Sequence, residues 1–230
     1  MVIVPNFSLS SGQQAVLSLH DKPEEYGQRL KQARADRTHR RVRQLLLESV
    51  SRTDRVADLG VGDGFVGRVL HERQHLDMIF GCDISEANLR FVKGQMTYDQ
   101  TWLGTAHDFC RQMALQATIF EWVTLVSVVY YLSPAELAEL LALLLPITRK
   151  GVILTIDAIP ASLRTHLAAS EQGSVATYNH MGAWSPDKSG FHRSECVWSG
   201  TGWSHSSAKI NVPVELWVLH KEPLRSTVSH

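Results

Sequence analysis

The chain has 230 residues, 44% of them hydrophobic and 20% charged, which suits a single α/β unit with added loops and excludes wholesale disorder. Lys plus Arg equals Asp plus Glu at 23 each, so no overall field gathers nucleic acid or an anionic membrane, and a small neutral partner fits better. Cys82, Cys110 and Cys196 lie far apart without a C-x-x-C pair, which argues against a zinc knuckle or a disulfide scaffold and points to a reducing, cytoplasmic setting.

From Met1 to Pro23, Ser, Gln and short apolar pieces alternate without a period, as in a mobile arm or a lid. This segment has neither the charged start nor the apolar run of a signal peptide, and no apolar stretch of the chain is long enough to span a bilayer. Tyr26, Leu30 and Ala33, then Val42, Leu45, Leu46 and Val50, follow helical spacing to about Ser51. Residues 1–51 therefore read as an N-terminal arm and helical lid, and residues 52–230 as the binding domain. Arg34, Arg37, Arg40, Arg41 and Arg43 surround His39 in this stretch; such a cluster could meet phosphate, although a solvated helix face is the commoner reading.

Val56, Ala57 and Leu59 form a short buried run that ends at Gly60, followed by a glycine-rich turn and a helix from about Phe65 to Arg73. Met78–Cys82 predicts a strand, Ser85–Met96 a helix opened by a Ser N-cap, and Leu103–Ala106 a third strand. Trp122–Leu132 is rich in β-branched and aromatic residues, as a central strand is, with its last residues passing into a loop. Ser133, Pro134 and Glu136 mark a capping box and a helix that runs to about Leu145, where Pro146 and Gly151 stop it before a strand at Val152–Ile156. Strands and helices alternating at this spacing predict parallel crossovers and a doubly wound sheet covered on both faces. Beyond Ile159, Leu163–Ala169 reads as a short helix and Gly173–Gly202 as a long functional loop, within an insertion over about residues 160–208. Lys209–Val212 and Val214–His220 then read as a terminal hairpin added to the sheet.

The segment Val56-Ala-Asp58-Leu-Gly60-Val-Gly62-Asp-Gly64-Phe-Val-Gly67 joins a buried strand to a helix. Glycines at 60, 62 and 64 let a ligand approach the backbone, with helix N–H groups facing it. Gly62-x-Gly64-x-x-Gly67 also satisfies the dinucleotide fingerprint, with Asp83 about 20 residues on, so the glycines alone do not choose a ligand. Asp58 does, because a carboxylate at the strand end repels pyrophosphate and attracts an ammonium or sulfonium group.

With that acid in place, the residues from about Arg52 to Lys221 resemble the class I S-adenosylmethionine-dependent methyltransferases, whose first motif looks like D-x-G-x-G-x-G and whose second strand ends in an acid. The resemblance implies a mostly parallel seven-stranded sheet with an antiparallel terminal strand, to which Glu215–Lys221 is similar. It implies that Asp58, Gly60, Gly62 and Gly64 hold the methionine part of S-adenosylmethionine, that Asp83 grips the ribose with Ile84 beside it, and that Asp108 and Phe109 serve the adenine as acceptor and wall. Ser127–Leu132 is similar to the fourth-strand motif beside cofactor and acceptor, which brings in Ser127. Apart from the resemblance, Tyr26 and Arg37 could close over the cofactor, although a solvated or packed helix face is the commoner reading. Glu121-Trp122-Val123 and the Tyr130-Tyr131 pair depart from the family's usual pattern at the fourth strand, which loosens any inference about the acceptor.

The aromatic and histidine-rich region from His166 to His205 would shape an acceptor pocket with Trp184, Phe191, Trp198 and Trp203, unless these are packing groups. His180, His192 and Tyr131 are the candidates for a general base. No histidine pair has tight metal spacing, so no metal is expected. The resulting expectation is O- or N-methylation of a small molecule, by a protein for which a homodimer is open. An RNA or protein acceptor, a nicotinamide-dependent oxidoreductase, and a module that binds the cofactor without turnover are the competing readings.

Overall fold

Buried runs with side chains on both faces become central strands, and the amphipathic stretches between them become crossover helices. The computed structural model describes residues 9, 13–14, 17, 36–72, 78–158, 160–163, 165, 189–205 and 209–221. Seven strands form one sheet: β1 (Arg55–Leu59), β2 (Met78–Asp83), β3 (Gln100–Leu103), β4 (Phe120–Leu125), β5 (Thr148–Asp157), β6 (Arg193–His205) and β7 (Ile210–His220). Their order is β3-β2-β1-β4-β5-β7-β6. β1 to β5 pair in parallel, and β7 runs antiparallel to both its neighbours, β5 and β6. The described helices are α1 (Asp36–Ser49), α2 (Phe65–His71), α3 (Glu86–Gln95), α4 (Ala106–Leu115) and α5 (Pro134–Leu144). None of the helices among the described residues is long and apolar enough to cross a membrane.

Alternate residues of the same strands enter opposite cores, as the two-residue period of a pleated strand requires. Ala57, Val123 and Leu154 join Phe109, Leu137 and Leu140 beneath α4 and α5. Val56, Trp122 and Ile153 join Val42, Leu46, Val66 and Val92 on the side of α1, α2 and α3. The expected doubly wound α/β sheet with helices on both faces is therefore present. Ser85 caps α3 by accepting from the Asn88 N–H at 3.2 Å, and Ser133 with Glu136 closes the expected capping box on α5.

Several boundaries differ from expectation. The third strand is Gln100–Leu103, not Leu103–Ala106, and a helix unforeseen in the sequence follows at once. Thr105 is its N-cap, accepting from the Asp108 N–H at 3.1 Å, and this cap converts the expected strand end into a helix start. The expected strand over Trp122–Leu132 ends at Leu125, and Val129–Tyr131 makes one turn of 3-10 helix. Part of the expected loop over 173–202 is β6, whose pairing with β7 shifts register between Cys196 and Trp198 and again between Thr201 and Trp203. Those two bulges break the alternation by which a strand is read. The expected terminal hairpin is instead the single strand β7, which passes through Pro213. The ring sits opposite Thr201 beside a bulge, and its carbonyl accepts the Ala158 N–H at 2.9 Å.

Candidate functional site

At the carboxyl end of β1 the chain turns sharply before α2. Gly60 has φ +88°, and a Cβ there would lie 2.4 Å from Val128 Cγ2, so neither the backbone nor the space admits a side chain. Gly64, with φ +81°, is the left-handed residue that starts α2. The Gly60 N–H donates to the Cys82 carbonyl at 2.7 Å, which holds the loop against the end of β2.

Two aspartates stand at the tips of these neighbouring strands. Asp58, 1% exposed, accepts from Tyr98 Oη and from Thr124 Oγ1, each at 2.6 Å. Burial pushes its carboxyl up to about 7, and the two donors offset only part of that rise. Asp83 accepts from the Gly62 N–H at 3.0 Å, the Ser85 N–H at 2.8 Å and Asn88 Nδ2 at 3.3 Å. Burial raises its pKa too, while the Ser85 and Gly62 N–H groups pull it back. Asp63 completes the acidic rim, paired with Arg68 at 2.8 Å.

These groups border one cavity at the carboxyl ends of β1, β2 and β4, the position where open α/β sheets take ligands. Its walls include Ile84, Asn88, Thr105, His107, Ser127, Val128 and Tyr131. His39 of α1 reaches the cavity as well, stacked on Phe65 with ring centroids 4.2 Å apart. His107 places Nε2 2.8 Å from the Glu136 carbonyl, which can only accept, so Nε2 carries the proton and Nδ1 is left as an acceptor in the neutral ring. Ser127 has φ +58°, and its N–H donates to Thr155 Oγ1 at 2.7 Å, bending the chain away from β4 at the cavity wall. Three aspartates and no lysine or arginine line the cavity among the described residues.

The same sheet recurs in solved structures. Magnesium protoporphyrin IX methyltransferase from Synechocystis PCC 6803, with bound SAH, superposes with a TM-score of 0.63 at 14% identity, covering 91% of this chain and 100% of that one. A SAM-dependent methyltransferase from Archaeoglobus fulgidus gives 0.57 at 16% identity, covering 86% and 99%. The N-methyltransferase NodS from Bradyrhizobium japonicum WM9 gives 0.51 at 12% identity, covering 80% and 95%. The chain has the class I methyltransferase fold. No family model matches the sequence, and no curated protein is similar to it in sequence.

Within this methyltransferase fold, Asp58, Gly60, Gly62, Asp83, Ile84, Ser127 and Tyr131 all border the cavity. Gly64 stands behind the rim at the start of α2. Asp108 and Phe109 are placed differently from expectation. Asp108 spends its carboxylate on Thr105 Oγ1 at 2.7 Å and Arg111 at 3.0 Å, and Phe109 is buried against Trp102 and Phe120. The Thr105 cap is the reason: it makes Asp108 the third residue of the helix and turns Phe109 into the core, leaving Thr105, Ala106 and His107 at the wall. His192 is exposed and does not border the cavity, and Arg37 lies on the outer face of α1. Tyr26 and His180 fall outside the described residues. Tyr98, Thr124, Asn88, His39 and His107 were not foreseen, and only Asn88, three residues after the Ser85 cap, had a local cue.

Proposed function

We propose that this chain is an S-adenosylmethionine-dependent methyltransferase that modifies a small-molecule acceptor at oxygen or nitrogen. The observation that carries the reading is the charge of the cavity. A backbone crevice built for a nucleoside is rimmed by Asp58, Asp63 and Asp83, with no cationic side chain on its wall among the described residues. Such a site suits a ligand with an ammonium and a sulfonium group, whereas the pyrophosphate of a nicotinamide cofactor would meet carboxylates. Bound there, S-adenosylmethionine would supply a methyl group on positively charged sulfur.

The chain's own contribution is then chiefly positioning, which can account for ~7–11 kcal/mol of a barrier when two reactants are held in line. Asp83 is the acceptor for a ribose diol, already oriented by Ser85 and Asn88. Asp58 is more deeply buried than Asp83, and the Tyr98 and Thr124 hydroxyls donate to its two oxygens, so its part is to fix the strand end beneath the loop. Tyr131 and His39 both border the cavity, and a protonated acceptor would be served by one of them. The small size of the acceptor is supported by the net charge of zero and by the small-molecule substrate in the name of the porphyrin methyltransferase of like fold.

Calorimetry with S-adenosylhomocysteine, NAD and NADP tests the cofactor. Binding of the first alone is expected, and Asp83→Ala should weaken it by about tenfold or more while the melting temperature stays in the folded range. Tighter binding of NAD would end the proposal.

A further inference from the structure

The outer face of α1 carries a second cleft, on the side of the helix away from His39. Arg37, Arg40, Arg41 and Gln44, all exposed, form one wall and Trp198, Gly200 and Thr201 of β6 the other, around an open space of about 560 Å³. That volume falls in the range of small-molecule sites, ~300–1,000 Å³. Positions 37, 40, 41 and 44 follow i, i+3, i+4, i+7 spacing, so their side chains share one helical stripe.

Three guanidinium groups on one stripe repel each other. Arg43 faces elsewhere and is neutralised by Glu72 at 2.6 Å. Among the described residues no carboxylate pairs with Arg37 or Arg41; the Arg41 side chain donates only to Gln44 Oε1, at 3.3 Å. A chain of zero net charge has thus gathered positive charge around a concave space. Across the cleft, the Trp198 indole lies back along its own strand. A Cβ on Gly200 would come within 2.9 Å of indole Cζ2, so glycine at 200 is what admits the ring to this wall. Guanidinium forks match phosphate oxygens, and an indole carries a planar ring by stacking.

We propose that this cleft binds a phosphorylated planar ligand of mononucleotide size, with the arginines on the phosphate and Trp198 against the ring. The site is separate from the main cavity and does not depend on what fills it.

Guanosine 5′-monophosphate is the probe, titrated into the full chain and followed by calorimetry and tryptophan fluorescence, with guanosine and inorganic phosphate as its two halves. Saturable binding that weakens steeply with salt is expected. Arg37→Gln combined with Arg41→Gln should weaken it by about tenfold or more and flatten the salt dependence. Trp198→Leu should lower affinity for the nucleotide but not for phosphate. Since Trp198 also packs against the core, the melting temperature of each variant is measured, and the exposed arginine pair carries the test if Trp198→Leu unfolds. Asp83→Ala, at the other cavity, should leave nucleotide affinity unchanged. The proposal is overturned if the nucleotide does not bind, if phosphate binds as tightly as the nucleotide, or if Asp83→Ala weakens binding while the arginine pair does not.

Discussion

The Tyr98 hydroxyl donates to Asp58 Oδ2 at 2.6 Å and accepts from the Gly67 N–H at 3.1 Å, so one phenol ties the tip of β1 to the helix behind the glycine loop. Its ring fills the space that side chains at 67 and 81 would occupy, since Cβ atoms there would lie 2.6 Å and 2.9 Å from it. The cavity floor therefore rests on a residue that does not border the cavity.

Tyr98→Phe keeps the ring and removes both hydrogen bonds. A buried carboxylate and a buried N–H each lose a partner, at ~1–3 kcal/mol apiece. Urea denaturation should show a loss of about 2–6 kcal/mol for the two together, with S-adenosylhomocysteine affinity reduced through the loop. Unchanged stability would mean that the phenol is not a strut between β1 and α2.

Gly60→Ala and Gly94→Ala should move in opposite directions. At 60 the backbone is left-handed and Val128 blocks the new methyl, so stability and cofactor affinity should both fall, the former by about 1–3 kcal/mol. Gly94 lies in α3 with nothing within 4 Å of the added atom, and alanine there should raise stability by ~0.5–1 kcal/mol. Thermal unfolding of the two variants checks the contrast.

Asp157 gives the fold a pH dependence. It is 3% exposed, its Oδ2 accepts the Trp203 Nε1–H at 2.7 Å, and its Oδ1 has no donor among the described residues. Burial pushes the carboxyl up to about 7 from an ordinary 3.8. A group raised in the folded state stabilises fully below its unfolded pKa and loses that contribution as pH rises through the folded one. The melting temperature should thus fall between about pH 4 and pH 8. Asp157→Asn leaves the indole an acceptor, and should flatten this fall and raise the melting point at pH 8 by several degrees, at ~2–4 °C per kcal/mol. Asp58 contributes with the same sign, so the slope should shrink and not vanish. An identical slope in the variant would contradict the assignment.

Asp108→Ala separates the role implied by the motif from the one its contacts describe. Loss of the pairing with Thr105 and Arg111 should cost ~0.5–2 kcal/mol of stability, with no change in S-adenosylhomocysteine affinity. A strong loss of affinity would put its carboxylate back beside adenine.

The sheet was legible where period and punctuation agree. Val56 to Gly60 and Ser133 to Glu136 carry their meaning within a few residues, because a buried run before glycines and a capping box are local physics. The β3–α4 junction was misread because Thr105 is a weak cap signal amid residues compatible with either structure. The strand β6 was hidden by its two bulges, and the Tyr98–Asp58 bond spans 40 residues, a separation that no local pattern encodes. At the site, the acids and glycines could be named in advance, whereas the helix that brings His39 to the cavity could be seen only once folded.

The antiparallel strand between β5 and β6 bears on how the molecule is made. Val152, Ile153 and Leu154 are fully enclosed only once residues 210–220 have slotted in beside them, and those are the last strand-forming residues described to leave the ribosome. During synthesis the nascent sheet carries a sticky apolar margin at β5, so its closure is a late event, and a chain interrupted before residue 210 would be prone to aggregate.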